Sequence, residues 1–413
     1  MKDSKYFNLM LFSLGIFLIL GISYAYFGTN IIGNETAKKQ TVMTGDLELT
    51  FTDNTEISLD NAFPGDSFTK TISVKNTGTL NANYNLVWTE LTNEIINDEL
   101  VIEATCKRLN SSNTEEGTCE SISQTPIKSN TIKKNISIEP SVTHEYTIKV
   151  TFIDTGNLQD YNKNKSFNGK LGINEYKLPT SVSFADDSWE TIAELVKAGK
   201  TDTYNVGDTK TVDLGTYGTH TLRVANKSTP SECSETGFSQ AACGFVLEFA
   251  DIIIDHAMND TDTNVGGWPA TSMRTFVNND IYNAIPSEIK NAIIDTTVVS
   301  GHGKTSGETN FTSTDKLYLL STAEVWAQGT SNTISDDTAR EVTRQLDYYK
   351  KEGVTTSNYS KAIKMYNSSA SPWRLRSAIS YTASNFYTVR SNGDWSGNNA
   401  IGTYGVSPAF RIG

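Results

Sequence analysis

The sequence predicts a multidomain protein in which an all-β antiparallel sandwich is followed by an α+β domain. The chain has 413 residues, which at roughly 150 residues per domain suggests two or three domains. In the first half, apolar and polar residues alternate with a period of two, whereas helical spacing appears only after residue 186. Hydrophobic residues make up 37% of the chain, enough to form real cores, so a wholly disordered protein is excluded.

The N-terminus predicts export. Two lysines among the first five residues precede a segment without charge, whose most apolar part is Leu9–Ile22. Its length fits the apolar region of a signal peptide better than a membrane span of about 20 residues. Ser23 and Ala25 are small residues at the −3 and −1 positions, which predicts cleavage between Ala25 and Tyr26. The alternative is an uncleaved anchor, which would be the chain's contact with a membrane. Both interpretations place the rest of the chain outside the cell or on its surface.

Strand signals recur through the first half. Leu47, Leu49 and Phe51 alternate with polar residues, and further segments rich in β-branched and aromatic residues follow between turn signals. Short strands separated by turns are typical of an antiparallel sandwich. The predicted strands after the first are Phe68–Val74, Tyr84–Trp88, Ile136–Ile138 and Tyr146–Phe152.

The second half mixes helix and strand signals, which is typical of an α+β domain. Asp187 and Glu190 predict a capping box for a helix over Ser188–Lys197 that ends at Gly199. Asn392-Gly393 predicts a type I′ hairpin turn. Further helices are predicted at Met273–Ala284, Ser287–Ile294, Thr322–Ala327 and Asp336–Tyr349. Strands are predicted at Lys210–Gly215, His220–Ala225, Leu317–Leu320, Trp373–Arg376, Phe386–Arg390 and Val406–Ile412.

These patterns divide the chain into five segments. In order, they are a signal peptide (1–25), an N-terminal arm (26–43), the β-sandwich domain (44–176), a linker (177–186) and the α+β domain (187–413).

The four cysteines are consistent with an oxidising compartment. They allow three pairings, and proximity in sequence favours Cys106–Cys119 and Cys233–Cys243. Closing a loop of that size stabilises a fold by roughly 3 kcal/mol in the chain-entropy model. The alternatives are a metal site or a redox pair, but no C-x-x-C motif is present and no histidine lies near either pair in sequence.

Charge argues against nucleic acid as a partner. The chain has 35 basic and 47 acidic residues and a net charge of −12, so it lacks the basic footprint that a phosphate backbone requires. The sequence predicts no cofactor and no catalytic residue.

One segment has the spacing of a calcium-binding loop. Asp260, Asp262 and Asn264 occupy the first, third and fifth positions of an EF-hand pattern. Val265 stands where that pattern has glycine, and Thr271 where it has glutamate. The alternative is a polar, solvated loop.

Aromatic and charged residues cluster near the C-terminus on two adjacent predicted strands and a hairpin. Aromatic faces beside guanidinium groups suit sugars, carboxylates or peptides. The alternative is structural: Trp373 and Leu375 alternate into the core and Arg376 braces a loop carbonyl or an acid. The candidate ligand-binding residues are Trp373, Arg374, Arg376, Tyr387, Arg390, Asp394 and Trp395.

The N-terminal half resembles the TasA/camelysin family of secreted bacterial proteins. The resemblance rests on an ordered set of short motifs: Ala25–Phe27, Gly45–Leu49, Pro64–Asp66 and Val74–Gly78. It implies a jelly-roll sandwich, removal of the signal by a dedicated peptidase and, as in matrix-forming members, assembly into fibres. Some members were named as metalloproteases, but here His144-Glu145 is not followed by a second histidine at position 148, so no H-E-x-x-H motif exists.

The C-terminal half resembles an uncharacterised domain family of bacterial surface proteins, mostly from Firmicutes. Arg374 stands where that family more often has an aromatic residue. More distantly, the arrangement is similar to the fold shared by C-type lectins and sulfatase-modifying enzymes, a likeness of fold that transfers no chemistry. The matching segments are Leu222–Asn226, Gly267–Arg274, Asp315–Ser321, Trp373–Ser377 and Gly405–Ile412.

These features favour a secreted, non-catalytic protein of the bacterial surface or extracellular matrix. The sandwich would assemble or anchor it, and the C-terminal domain would bind a glycan, a peptide or another surface protein. Other copies of the chain are expected partners if the sandwich forms filaments. The alternative is a secreted enzyme resembling sulfatase-modifying oxidases, which use reactive cysteines. Free thiols at Cys233 and Cys243 would favour that alternative.

Overall fold

A computed structural model of the chain describes residues 31–32, 40–44, 47–53, 57–59, 62–304 and 309–413. The chain divides into two compact units, Met1–Lys177 and Leu178–Gly413. The predicted signal peptide and its cleavage point between Ala25 and Tyr26 lie outside the described residues. Among the helices that the structure describes, none has both the length and the apolar character needed to cross a membrane.

The described strands of the first unit form two sheets and pair antiparallel throughout. One sheet has the strand order β1-β12-β6-β10, with β4 also paired to β12, and the other has the order β2-β3-β5-β11-β7-β8, with β9 also paired to β7. A 3₁₀ helix covers Asp160–Asn162. The strands are β1 Ile31–Ile32, β2 Gln40–Thr44, β3 Leu47–Thr52, β4 Ile57–Leu59, β5 Ser67–Asn76, β6 Ala82–Asn93, β7 Leu100–Leu109, β8 Glu115–Thr118, β9 Ile122–Pro126, β10 Thr131–Ile138, β11 Thr143–Phe152 and β12 Phe167–Glu175.

Alternation along these strands explains the core of the first unit. On β11, Tyr146, Ile148, Val150 and Phe152 are buried because side chains two residues apart point to the same face of a strand. The residues between them are more exposed. The sequence prediction of antiparallel sheets in this half is therefore confirmed.

The described residues of the second unit form four sheets. Their orders are β13-β14-β15-β25, β16-β24-β21-β22-β23, β17-β18 and β19-β20. The contact between β21 and β24 is parallel. The strands are β13 Thr209–Asp213, β14 Thr219–Asn226, β15 Val246–Phe249, β16 Ile254–Ala257, β17 Thr296–Ser300, β18 Phe311–Asp315, β19 Lys364–Tyr366, β20 Ser369–Ser371, β21 Trp373–Ala378, β22 Asn385–Val389, β23 Trp395–Asn399, β24 Thr403–Val406 and β25 Ala409–Arg411.

Helices in the second unit are short. The α-helices are α1 Trp189–Lys197, α2 Ser272–Phe276, α3 Tyr282–Ala284, α4 Ser287–Lys290, α5 Thr322–Val325 and α6 Asp347–Lys351, and a π-helical turn at Val277–Ile281 joins α2 to α3. The 3₁₀ helices are Gly215–Tyr217, Ser231–Ser234, Gln240–Ala242, Trp268–Ala270, Arg340–Val342 and Ser360–Ala362.

The start of α1 differs from the prediction by one residue. The N-cap is Ser188, whose hydroxyl accepts a hydrogen bond from the Thr191 backbone N–H, rather than Asp187. Asp187 is buried, and its carboxylate accepts hydrogen bonds from Ser181 and Tyr204. Just before α1, in the segment predicted to be a linker, Phe184 is buried in the core of this unit.

Two further predictions are wrong for the same physical reason. The predicted helix over 336–349 is a 3₁₀ turn followed by α6, and the predicted strand over 317–320 is a buried segment with one bridge, from Tyr318 to Ala409. In both, side-chain bonds to distant residues replace regular pairing. Arg344, for example, donates to the Asn226 side chain and the Ala242 carbonyl, contacts that local sequence does not reveal.

Candidate functional site

The structure divides the seven predicted ligand-binding residues into two groups. They lie on or beside β21, β22 and β23, which are neighbours in one sheet. The side chains of Trp373, Arg374, Arg376 and Tyr387 are buried. The remaining three, Arg390, Asp394 and Trp395, lie at the hairpin that joins β22 to β23.

Arg374 holds a loop rather than facing solvent. Its guanidinium donates to the backbone carbonyl oxygens of Asn398 at 3.1 Å and Gly402 at 2.7 Å, and it lies 4.5 Å from the centre of the Tyr404 ring. Burial lowers the pKa of Arg374 to about 10. On the same strand, the Trp373 indole donates to the Ala362 carbonyl at 3.1 Å. Both side chains are therefore committed to contacts within the fold.

Arg376 forms a fully buried ion pair with Glu324. Its two terminal nitrogens each lie 2.5 Å from a Glu324 oxygen, the bidentate geometry of the strongest carboxylate contacts. Burial alone would lower the pKa of Arg376, but the Glu324 carboxylate raises it above its usual value. Glu324 also completes a capping box with Ser321 at the start of α5. The pair therefore fixes α5 to β21.

The hairpin keeps its charged groups at the surface. Arg390 is exposed, and its guanidinium lies 3.5 Å from the Asp394 carboxylate. The half-buried Trp395 packs edge-on against Tyr387 with ring centres 5.9 Å apart. The turn is closed by a bond from the Gly393 N–H to the Arg390 carbonyl, and only Gly393 of the predicted Asn392-Gly393 pair has a positive φ, 91°. A type I′ turn needs positive φ at both central residues, so that prediction is wrong.

The predicted calcium residues do not converge as a set. Asn264 is fully buried, and its amide nitrogen donates to the carbonyls of Ile379, Thr382 and Asn385 at 2.9–3.0 Å. Asp260 and Asp262 are exposed, and the Asp262 carboxylate accepts a hydrogen bond from Asn399. Asn264 thus acts as a clamp between loops, which leaves the two carboxylates on the surface.

Three loops meet at the end of the sheet away from the hairpin. They are residues 258–267, 379–385 and 398–402, and we call them the loop cluster. The Ala400 carbonyl accepts from the backbone of Met258, and the Asn264 N–H donates to the Ala383 carbonyl. The cluster presents exposed apolar and acidic side chains on a braced backbone, namely Asp260, Asp262, Val265, Tyr381 and Ile401.

Both predicted disulfides are present. Cys106 bonds to Cys119 and Cys233 bonds to Cys243, and none of the four cysteines is free. Cys233 and Cys243 are 6% and 0% exposed. No reactive thiol is therefore available in this state of the protein.

A group of possible metal donors surrounds the first disulfide. Within the described part of the chain, Cys106, Cys119 and His144 are the one set of three whose donor atoms lie within 4.8 Å of one another. The two sulfurs are bonded to each other, so neither is the thiolate that a metal binds. His144 Nδ1 is 3.0 Å from the Tyr84 hydroxyl, and burial lowers the pKa of His144 to about 4. The oxidised cluster does not fit a zinc site.

Sequence reasoning missed a buried charge network around Glu248. Its carboxylate contacts Arg223 at 2.8 Å, Lys364 at 2.7 Å and the Tyr349 hydroxyl at 2.9 Å. Burial opposes ionisation of Glu248, but the two cations lower its pKa to about 2. Burial lowers the pKa of Lys364 to about 8. The available signal was Glu248, the single acid within the apolar segment 245–250, since an isolated buried carboxylate needs a partner.

A recess in the first unit is too small for a ligand. It has a volume of about 10 Å³, room for roughly one water molecule. Leu100, Phe152 and Phe167 are among the residues that line it.

Comparison with known families identifies a segment in each half of the chain. Residues 8–94 match the model of the camelysin metallo-endopeptidase family. Residues 245–413 match a domain of unknown function, DUF6273. The first segment is thus similar to camelysin/TasA-like proteins and the second to DUF6273 domains, and the first similarity favours a secreted bacterial protein. Residues 8–94 contain no histidine and no cysteine, so the matched segment lacks the usual nitrogen and sulfur ligands of zinc.

Comparisons with whole proteins add little. No curated protein matches the chain. Among solved structures, a chain of infectious bursal disease virus Gt strain is 12% identical with a TM-score of 0.19, covering 34% of this chain and 32% of that one. The VP2 subviral particle of the same virus is 13% identical with a TM-score of 0.20, covering 32% and 33%.

A third structure is the tandem CBM22 domain of Paenibacillus barcinonensis Xyn10C. It is 9% identical with a TM-score of 0.17, covering 70% of this chain and 80% of that one. The chain spans about a third of the length of the viral chains it matches. Similarity this low supports no inference about fold or function.

Proposed function

We propose that this protein is a secreted, non-catalytic component of the bacterial surface or extracellular matrix. In this proposal the N-terminal sandwich, of jelly-roll type, assembles or anchors the protein. The C-terminal unit is an α+β domain with a C-type-lectin-like arrangement that binds a glycan, a peptide or another surface protein. The camelysin/TasA-like match supports the first role, and the braced, exposed loop cluster supports the second.

The observation that carries this proposal is the commitment of reactive side chains to the fold. Arg376 and Glu324 satisfy each other, Glu248 is held by two cations, and all four cysteines are in disulfides. Catalysis needs groups that can reach a substrate and change protonation or bonding during the reaction. Binding needs only a fixed, accessible surface, and the loop cluster provides one because Asn264 and Arg374 hold its backbone.

A binding screen tests the proposal. The purified full chain is applied to glycan and peptide arrays, and hits are measured again with Tyr381→Ala. We expect this variant to lose at least tenfold in affinity, because an exposed aromatic ring is a common anchor for sugars and peptides. Phe63→Ala, which removes an exposed aromatic ring from the first unit, is the matched control and should bind normally. Equal binding by Tyr381→Ala, or no hit on either array, would count against the loop cluster as the site.

The alternative, a cysteine-dependent oxidase, makes an opposite prediction. It requires at least one accessible thiol among Cys233 and Cys243, whereas these residues form a buried disulfide. Alkylation of the native, unreduced protein followed by mass analysis separates the two proposals. Labelling at either cysteine would favour the oxidase, and no labelling would favour the binding protein.

A further inference from the structure

A lysine lies on the core side of the first unit's sandwich. On β5, Lys70 shares a face with Ile72 and Val74, and all three are buried. The residue paired with Lys70 on β11 is the fully buried Ile148, which in turn lies opposite Ala104 on β7. An amino group therefore sits at a position where the neighbouring strands contribute apolar side chains.

The partner of this lysine is an equally buried acid. Asp53 directly follows β3, and its Oδ1 lies 2.6 Å from Lys70 Nζ. The two side chains are 4% and 1% exposed, respectively. Both residues are fixed by the same sheet, because β3 pairs with β5 through Leu49–Thr52 and Ser73–Asn76.

A second buried lysine, Lys364, forms an ion pair in which the amino group is fully hydrogen-bonded. Lys364 Nζ donates to the Glu248 carboxylate, the Phe249 carbonyl and the Ser407 hydroxyl at 2.6–2.8 Å, which satisfies all three N–H bonds of an ammonium group. Lys70 Nζ approaches Asp53 equally closely but, among the described residues, makes no hydrogen bond of normal geometry. Within the described residues, Asp53 is thus the group that Lys70 Nζ contacts most closely.

The position of the two groups favours a reaction between them. A buried ion pair must offset the desolvation of both ions, and joining the two groups as a neutral amide removes both charges from the core. Groups held in contact on a rigid scaffold react as if at effective concentrations of about 10⁵ M or more. An amino group and a carboxyl group are the reactants of amide formation.

We propose that Lys70 and Asp53 form an intramolecular amide cross-link within the sandwich. The Lys70 Nζ bonds to Asp53 Cγ, a C–O bond of the carboxyl group breaks, and one water leaves with that oxygen and the two protons released by the nitrogen. No oxidant, reductant or further reactant is needed. The bond joins the end of β3 covalently to β5, in addition to the Cys106–Cys119 disulfide that closes the other side of the same sheet.

Mass spectrometry of the full chain, purified after expression and with its disulfides reduced, tests the proposal. The cross-linked protein is about 18 Da lighter than its sequence, the mass of one water. Digestion after glutamate provides a direct assay, because cleavage at Glu56 separates Leu49–Glu56 from Ile57–Glu90. We expect these two fragments to remain joined. Trypsin should also fail to cut after Lys70, since its ammonium group is gone.

Three variants test whether Lys70 and Asp53 are the two residues that form the amide. Lys70→Met should have the full mass of its sequence and release the two fragments. Asp53→Asn can form the same amide by losing ammonia, so it should be about 17 Da light. Lys149→Met, which removes an exposed lysine paired with Glu103 in the same sheet, is the control and should keep the deficit of the wild type.

Two outcomes would overturn the proposal. One is a wild-type chain of full mass whose fragments separate. The other is a deficit that persists in Lys70→Met, since this would place the lost water elsewhere, for example in a succinimide. Neither outcome depends on the folding of a variant, because the first is read on the wild type and a mass deficit is measured on denatured protein.

Discussion

His144 links the stability of the first unit to pH. Its pKa is lowered to about 4 by burial, from an ordinary value of 6.5, so the folded state binds a proton less well than the unfolded state does. The stability contributed by the neutral ring is therefore complete above about pH 6.5 and is lost as the pH falls from there towards 4. At 1.36 kcal/mol per pKa unit, the maximum loss is about 3 kcal/mol.

Urea unfolding at pH 7 and at pH 4.5 checks this effect. We expect His144→Gln to reduce the difference in unfolding free energy between the two pH values, because glutamine does not titrate and can still hydrogen-bond to the Tyr84 hydroxyl. The unfolding free energy of the variant at pH 7 shows whether the variant still folds. If the pH dependence of the unfolding free energy is the same in the variant, groups other than His144 determine it.

The pair formed by Glu324 and Arg376 is expected to be among the most sensitive points of the second unit. Glu324→Gln keeps the shape of the side chain and its place in the capping box, but leaves the Arg376 charge buried and uncompensated. Removing one member of a buried pair costs about 3–5 kcal/mol. Glu103→Gln makes the same chemical change in the exposed pair with Lys149 and should cost less than about 1 kcal/mol. Equal effects in urea unfolding would contradict this interpretation.

At the scale of elements, the turn between β22 and β23 depends on Gly393. A Cβ at this position would lie 2.1 Å from the Tyr359 carbonyl oxygen, a backbone atom, and the Trp326 indole donates to the Gly393 carbonyl at 3.2 Å. The turn is therefore packed against other segments rather than standing free. This explains why it does not adopt the type I′ conformation that its sequence favours.

Two glycine substitutions separate backbone strain from this close approach. Gly237 has φ 85°, similar to the 91° of Gly393, but a Cβ there meets nothing within 4 Å. Gly237→Ala should cost about 1–2 kcal/mol, from left-handed strain alone. Gly393→Ala should cost about 2 kcal/mol more, since overpacking adds to the strain. Thermal unfolding measures both, and similar melting temperatures would mean that the Tyr359 segment moves aside easily.

The elements that sequence could predict are those whose pattern is set by burial on one face. Tyr146–Phe152 alternates because one face of β11 is core, and this pattern is local. By contrast, Asn264, Arg374 and Arg344 are polar residues whose role depends on carbonyl groups far away in sequence. From the sequence, Asn264 was a candidate calcium ligand, Arg374 was a candidate ligand-binding residue, and Arg344 lay within a predicted helix. Only the tertiary structure shows that they are internal clamps. The residues exposed for binding therefore lie in the loop cluster rather than on β21.

At the scale of the whole molecule, each of the two units has its own core and its own disulfide. We therefore expect two transitions in calorimetry, because domains with separate cores usually unfold as separate cooperative units. His144→Gln should change the pH dependence of only one transition, and Gly393→Ala should lower only the other. A single transition that both variants shift equally would indicate one cooperative unit.

Assembly is the remaining property at this scale. The predicted N-terminal arm, 26–43, contributes to both sheets: among its described residues, Ile31 and Ile32 pair with β12, and β2 pairs with β3. We expect the edge strand β1 to be exchangeable between copies: a copy that fills the β12 edge of its neighbour repeats the same contact head to tail, which extends into a filament. We expect the secreted chain to form filaments. We expect the variant that lacks residues 26–39 to remain folded and monomeric, as measured by light scattering and electron microscopy.

Leu158→Ser, which removes an 85% exposed apolar side chain from the same unit, controls for non-specific association and should assemble normally. If the deleted form assembles as well as the full chain, strand exchange is not the mechanism, and the edge β10 or β8 becomes the next surface to test.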